Sequence, residues 1–293
     1  MKEMRAYALL TATVALTLTT GCASLLAPDQ PDAGGSPAPS APAAAPLRPM
    51  ARKPAGLTVP LAQPGQLTVC GTLARTPYAY SEASKPGKSI GFDVELLTLV
   101  AQRLGVTAVT VQVRGSDLFS PRSARLRRCD LLAGGFQLAE ELGNGYAWST
   151  PYLRTRFAVL TRAGSPGTLR ELAGRQVAVA QGSPAQEYLA THAPGLRLVP
   201  SEASLVAPQL QAERLDAAVL DRAAAYHLVQ QRRALTVGEE FGEVRQVAFL
   251  VPKGNQVLRA QLDAALLDAA GNGHYARAHR LWFGREPDWR PGR

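Results

Sequence analysis

Three short stretches of the chain hold residue types whose spacing could do chemistry. The first follows the apolar run Asp130-Leu131-Leu132-Ala133. It opens with Gly134-Gly135, passes Gln137 and ends in Trp148-Ser149-Thr150-Pro151-Tyr152. A strand that opens into a Gly-rich loop is where an α/β sheet presents backbone groups to a ligand. Gly135 can offer such a group and Gln137 a side-chain amide; the other reading is an ordinary loop. The second stretch, Gly182-Ser183-Pro184, joins a strand to a helix. Free N–H groups and the helix dipole favour an anion there. Ser183 also reads as the helix cap, with Pro184 in the first helical position and Gln186 closing the box. The third is Asp221, which ends the apolar run Ala217-Ala218-Val219-Leu220. Its carboxylate can receive a cation, or cap the helix that follows.

These groups suit binding better than turnover. General acid–base work needs two carboxylates that converge. Only Asp221 and Asp117 are candidates, since Glu140 and Glu141 read as exposed loop residues. No Cys/His pattern has zinc-ligand spacing, and no metal or cofactor is expected. The formal net charge is +9, yet the arginines are scattered, with Arg125-Leu126-Arg127-Arg128 the densest run. That run reads as a solvated helix face, so no nucleic-acid partner is expected. The chain is expected to act as a monomer.

The elements that must position these residues begin late in the 293-residue chain. Residues 1–21 read as an export signal: Lys2 and Arg5 precede the apolar run Ala6 to Leu18, too short to span a bilayer comfortably. The run ends in Leu18-Thr19-Thr20-Gly21-Cys22, which resembles a bacterial lipobox and makes Cys22 the expected lipidation site. Acyl chains there would hold the protein on a membrane surface, in the periplasm or at the cell surface. Residues 22–64, rich in Pro, Ala, Gly and Ser, read as a disordered tether. Beyond them strand-like and helix-like runs alternate. Leu67 to Gly71 is a strand, and Phe92, Leu96 and Val100 mark one face of a helix that Asp93 would cap. Val109 to Val113 is a strand, a helix covers Arg122 to Arg128, and Asp130 to Ala133 is the third strand. This β-α-β-α-β order implies a parallel sheet. Thr168 to Gly174 reads as a short capped helix, and the alternation repeats to the helix Gln256–Ala270. In an exported chain Cys70 and Cys129 form an even pair and a disulfide candidate; the alternative is two unpaired, half-buried thiols.

Six segments in order resemble the bacterial extracellular solute-binding proteins of family 3, the amino-acid binders of ABC importers. They are Gly91-Phe92-Asp93-Val94-Glu95-Leu96; Ser149 to Tyr152; Thr168 to Gly174; Gln181 to Leu189; Leu215 to Asp221; and Gly273-His274-Tyr275 with Leu281-Trp282-Phe283-Gly284. The resemblance implies an α/β fold: a two-lobed periplasmic-binding-protein clamshell of type II, each lobe a mostly parallel sheet flanked by helices, joined by a two-strand hinge. The solute-binding domain would span 65–287, with lobe 1 taking about 65–153 and 247–287 and lobe 2 about 157–244. It further implies a receptor that delivers a small polar, amino-acid-like solute to an ABC permease.

The resemblance also assigns site residues. Asp221 matches the acid that receives a ligand ammonium. Tyr78 matches an aromatic near the end of the first strand, and Arg75 falls where an aromatic usually stacks on the ligand. The arginine that forks onto a ligand carboxylate is replaced by Leu142. The ligand is therefore expected to be something other than an ordinary free α-amino acid, or Arg75 or Arg114 is expected to replace that arginine from another direction. Two further readings stand beside the receptor: a dehydratase-like enzyme on the same fold, and an accessory partner of a periplasmic quinoprotein-type dehydrogenase.

Overall fold

A computed structural model describes residues 47–81, 88–114, 117, 126–138 and 145–292. The export signal, Cys22, and the loop residues Glu140, Glu141 and Leu142 lie outside the described residues.

The first sheet contains β1 (Gln66–Gly71), β5 (Thr107–Gln112), β6 (Leu131–Leu132), β7 (Tyr146–Trp148) and β13 (Leu250–Pro252), in the order β5-β1-β6-β13-β7. β5, β1 and β6 are parallel, as the alternation implies, whereas β13 joins antiparallel between β6 and β7. Its helices are α1 (Phe92–Leu104), α5 (Gln256–Asn272) and α6 (His274–Phe283). Phe92, Leu96 and Val100 are buried, as their spacing predicts. They join Tyr152, Phe249, Leu262 and Tyr275 in one core. A small ribbon, β2 (Ala74–Arg75), β3 (Ala79–Ser81) and β4 (Ser89–Ile90), stands beside α1.

The second sheet has the order β10-β9-β11-β8-β12. β9 (Gln176–Val179), β10 (Arg197–Pro200) and β11 (Ala217–Asp221) are parallel, while β8 (Leu153–Arg162) and β12 (Leu235–Val247) are antiparallel additions. Three helices belong to it: α2 (Pro184–His192), α3 (Ala203–Gln211) and α4 (Arg222–Gln231). The two sheets have separate cores, and β8 and β12 are the long strands that link them. They are paired from Leu153 with Val247 out to Arg162 with Leu235. Backbone bonds from Ser149 N–H to the Phe249 carbonyl and from Tyr152 N–H to the Val247 carbonyl join the same two chains just before the pair begins. This is the two-lobed arrangement of a type II clamshell with a two-strand connection.

Several local expectations change. From Leu47 the supposed tether runs along the first lobe. Met50, Val59 and Leu61 pack on its core; Ala51 N–H donates to Asp268, Ala62 N–H to Asp130, and Asn255 Nδ2 to the Pro60 carbonyl. Scattered apolar residues among prolines show no periodicity, yet they suffice to dock an extended chain that needs no hydrogen bonds of its own. Thr168 to Gly174 forms turns rather than a helix, although Glu171 still accepts the Thr168 N–H and hydroxyl bonds. In the 122–128 segment the described part is a single 3₁₀ turn, Leu126–Arg128. Cys70 and Cys129 are bonded to each other, with Cα atoms 5.8 Å apart, beside Val113, Leu132 and Phe136.

Candidate functional site

The site is built around Asp93. The sequence suggests a cap, but the cap position belongs to Gly91 and Asp93 lies inside the first turn of α1, fully buried. Its Oδ2 accepts the N–H groups of Gly134 (2.8 Å) and Gly135 (3.0 Å), and its Oδ1 accepts the Tyr152 hydroxyl (2.6 Å). A carboxylate with three donors can hold a glycine loop that has no side chains of its own to pack. Burial nevertheless raises the Asp93 carboxyl above the usual range, with the three donors and the Arg75 charge opposing it. Gly135 has φ 69°, and a Cβ there would fall 2.5 Å from the Tyr78 ring. The Gly-Gly pair therefore admits the Tyr78 side chain against the loop. Its N–H groups serve Asp93, so the Gly135 N–H is already spent within the protein.

Tyr78 is 4% exposed. Its hydroxyl donates to Asp221 Oδ1 at 2.9 Å, so a first-lobe aromatic meets a second-lobe acid 143 positions away. Burial and the Asp221 charge push the phenol well above its ordinary value. Asp221 does both things expected of it locally: it ends β11, and its Oδ1 accepts the Ala223 N–H (3.0 Å) to cap α4. Its other oxygen, Oδ2, is buried and accepts no hydrogen bond among the described residues.

Gln137 pairs its backbone with Val247 of β12, and its Oε1 accepts a bond of 3.0 Å from Arg245 Nη1. The Arg245 guanidinium carbon sits 4.0 Å over the Phe157 ring. Arg245 Nε and Nη2 are buried and have no hydrogen-bond partner among the described residues. No local pattern in the sequence singles out Arg245 or Phe157. The available signal was a single arginine in the strand-like run ahead of Val247, where the chain returns between lobes.

Ser183 caps α2 by accepting the Gln186 N–H (3.3 Å), while Gln186 Oε1 accepts the Gly182 N–H (2.7 Å). Arg75 is half-buried on β2, and its charge opposes the upward shifts of Tyr78, Tyr152 and Asp93. Arg114 is exposed beyond the outer strand β5, with its backbone N–H donating to Asp117 Oδ2 at 3.3 Å. The structure thus joins Tyr78 to Asp221 and Gln137 to Arg245, and leaves Arg114 in solvent. Among the described residues no three His, Cys, Asp or Glu side chains are grouped to hold a metal ion, and no helix is long and apolar enough to cross a membrane.

A model of the bacterial extracellular solute-binding proteins, family 3, matches residues 67–285. The chain belongs to this family. The L-cystine-binding protein TcyJ of Escherichia coli (strain K12) is 26% identical over 213 residues, covering 71% of this chain and 79% of that protein. Among solved structures, a mutant of ArgBP from T. maritima is 26% identical with a TM-score of 0.57, covering 75% of this chain and 96% of its own. An ancestral cationic amino acid solute-binding protein superposes with a TM-score of 0.67 at 21% identity, over 75% of this chain and 96% of its own. The last is a likeness of fold. These relatives are named as solute-binding proteins, and further relatives in Escherichia coli are named as arginine-binding proteins of ABC transporters.

Proposed function

We propose that this family member is a lipid-anchored extracytoplasmic receptor that captures a small polar, amino-acid-like solute and passes it to an ABC permease. The observation that supports this reading is the buried Oδ2 of Asp221, which has no hydrogen-bond partner among the described residues. A buried carboxylate oxygen without a donor costs about 1–3 kcal/mol or more, and a ligand ammonium removes that cost. In this reading Tyr78 holds Oδ1 and aims Oδ2, and Gln137 fixes one edge of Arg245. The α2 N-terminus at Ser183 adds positive potential. Arg75 contributes charge from behind Tyr78, and Arg114 would act only at the rim. Lobes 65–153 with 247–287 and 157–244 close about β8 and β12, and Cys22 bears the lipid. Relatives point the same way: TcyJ is named for L-cystine, and one ArgBP structure is an arginine-bound form.

The test is a thermal-shift screen of the mature domain as a monomer, with the twenty L-amino acids and L-cystine. A ligand at a hundred times its Kd stabilises by about 2.7 kcal/mol, which is several degrees in Tm. Stabilisation by at least one compound, lost in Asp221→Asn, supports the receptor. No stabilisation by any of them contradicts it. Anchoring is tested separately: Cys22→Ser should release the protein from the membrane fraction.

A further inference from the structure

The resemblance puts Leu142 where an arginine would hold a solute carboxylate, so such a solute would need another cation here. We propose that Arg245, on the connecting strand β12, is that cation, receiving a ligand carboxylate on its Nε–Nη2 edge while Asp221 receives the ammonium. The inference rests on the receptor reading above and names the ligand class: amphoteric solutes with an amine and a carboxylate a few ångströms apart.

The argument is one of unmet donors. Arg245 has five N–H donors in a fixed planar fork. Nη1 is spent on Gln137, and one face is covered by Phe157 at 4.0 Å. The two nitrogens without partners among the described residues, Nε and Nη2, lie on one edge of the guanidinium. That edge presents two parallel N–H bonds, the geometry that accepts a carboxylate bidentately. A structural arginine would turn the edge toward a carbonyl or a carboxylate, as Arg162 Nη1 does with Leu210 and Leu215, or Arg222 with Asp288. Here the opposite is seen: Gln137 and Phe157 hold the group while its best hydrogen-bonding edge stays unmet.

Register places Arg245 relative to Asp221. Asp221 of β11 pairs with Phe157 of β8, and Arg245 of β12 pairs with Thr155, two residues along the same strand. Residues two apart in a strand share a face. Asp221, Phe157 and Arg245 are therefore on one face of the sheet, the acid and the arginine on the strands either side of β8, with backbones about 12 Å apart once the two-residue offset is included. Arg245 lies back over Phe157 and so shortens that gap. One unmet acceptor and one unmet bidentate donor on a single face complement a zwitterion. Both residues are half-buried, but the unmet atoms themselves are buried, so the solute reaches them when the lobes part at β8 and β12.

The experiment is calorimetric titration of the wild type, Arg245→Gln, Arg245→Lys and Asp221→Asn. The probes are L-arginine, L-cystine and their carboxamides, L-argininamide and L-cystine diamide. The wild type is expected to bind an acid at least about 30-fold more tightly than its amide, the loss seen when one partner of a buried hydrogen-bonded charge pair is removed. Arg245→Gln should weaken the acid to the level of the amide and leave the amide unchanged. Arg245→Lys keeps the charge without the fork, and should retain only part of the preference. Should Arg245→Gln fail to fold, by far-UV circular dichroism, the lysine variant decides. Asp221→Asn should weaken acid and amide alike. Full acid preference in folded Arg245→Gln or Arg245→Lys overturns this inference and leaves the receptor intact. A wild type that binds none of the four probes overturns the receptor reading for this ligand class, and the role of Arg245 with it.

Discussion

Gly135→Ala tests the link between loop and site. Gly135 stands at φ 69°, and a Cβ would meet three carbons of the Tyr78 ring at 2.5–2.7 Å. The left-handed conformation costs an L-residue about 1–2 kcal/mol. Forcing a methyl group against a buried ring costs about 1–3 kcal/mol more. The sum, about 2–5 kcal/mol, is a large part of a typical domain's stability. Gly174→Ala is the control, because Gly174 has φ 76° and nothing within 4 Å of the added Cβ, so only the backbone cost remains. Urea denaturation of both variants reads the difference as a shift in midpoint at constant m. The steric part is isolated by a double-mutant cycle with Tyr78→Ala. Removing the ring should return Gly135→Ala to the cost of Gly174→Ala, with a coupling of about 1–3 kcal/mol. Because the Tyr78 hydroxyl bonds Asp221 at 2.9 Å, displacing the ring should also weaken solute binding, whereas Gly174→Ala should leave it unchanged. Equal destabilisation by the two glycine variants, with no coupling to Tyr78, would refute the reasoning.

Two further outcomes follow from the packing. The disulfide joins residues 59 apart, and a closed loop of that length constrains the unfolded chain by about 4 kcal/mol in the chain-entropy treatment. Cys70→Ala with Cys129→Ala should lower the denaturant midpoint accordingly, and added reductant should then have no further effect on that variant. Burial lowers the pKa of two imidazoles: His227, against Tyr80, Trp282 and Gln231, and His279, against Phe92, Tyr275 and Phe283, with the Trp282 and Arg285 carbonyls opposing the shifts and the Asp288, Arg285 and Arg222 charges also acting on His279. The unfolded chain protonates first, near pH 6.5. Their contribution is therefore complete above about pH 6.5 and is lost as pH falls toward the lowered values, by at most about 1.4 kcal/mol per pH unit for each ring. Denaturation at pH 7.5, 6.0 and 5.0 checks the sign, and His227→Gln with His279→Gln should flatten the slope.

Local pattern and long-range pairing divide what the sequence reveals from what it hides. Phe92, Leu96 and Val100 announce their helix because a buried face repeats every 3.6 residues, and Ser183 with Gln186 announces the start of another through capping chemistry. Asp221 is legible as the end of a buried strand. Asp93 is misread, since its three donors come from Gly134, Gly135 and Tyr152, each more than 40 positions away and invisible to local rules. Arg245 is missed for the same reason: its importance arises from strand register, which brings Phe157 under it and Gln137 beside it. The segment from Leu47 to Pro64 is misjudged because docking by a few apolar residues leaves no periodic trace. Leu142 in the position the resemblance gives to an arginine is legible in the sequence, whereas the proposed role of Arg245 depends on a pairing of strands that only the fold supplies.

The most direct measurement is the mass of any small molecule bound to the protein purified under native conditions, compared between wild type and Asp221→Asn. The account predicts one amphoteric solute at one per chain in the wild type, released on denaturation and absent from Asp221→Asn. A solute without an amine, or one retained equally by Asp221→Asn, would contradict it.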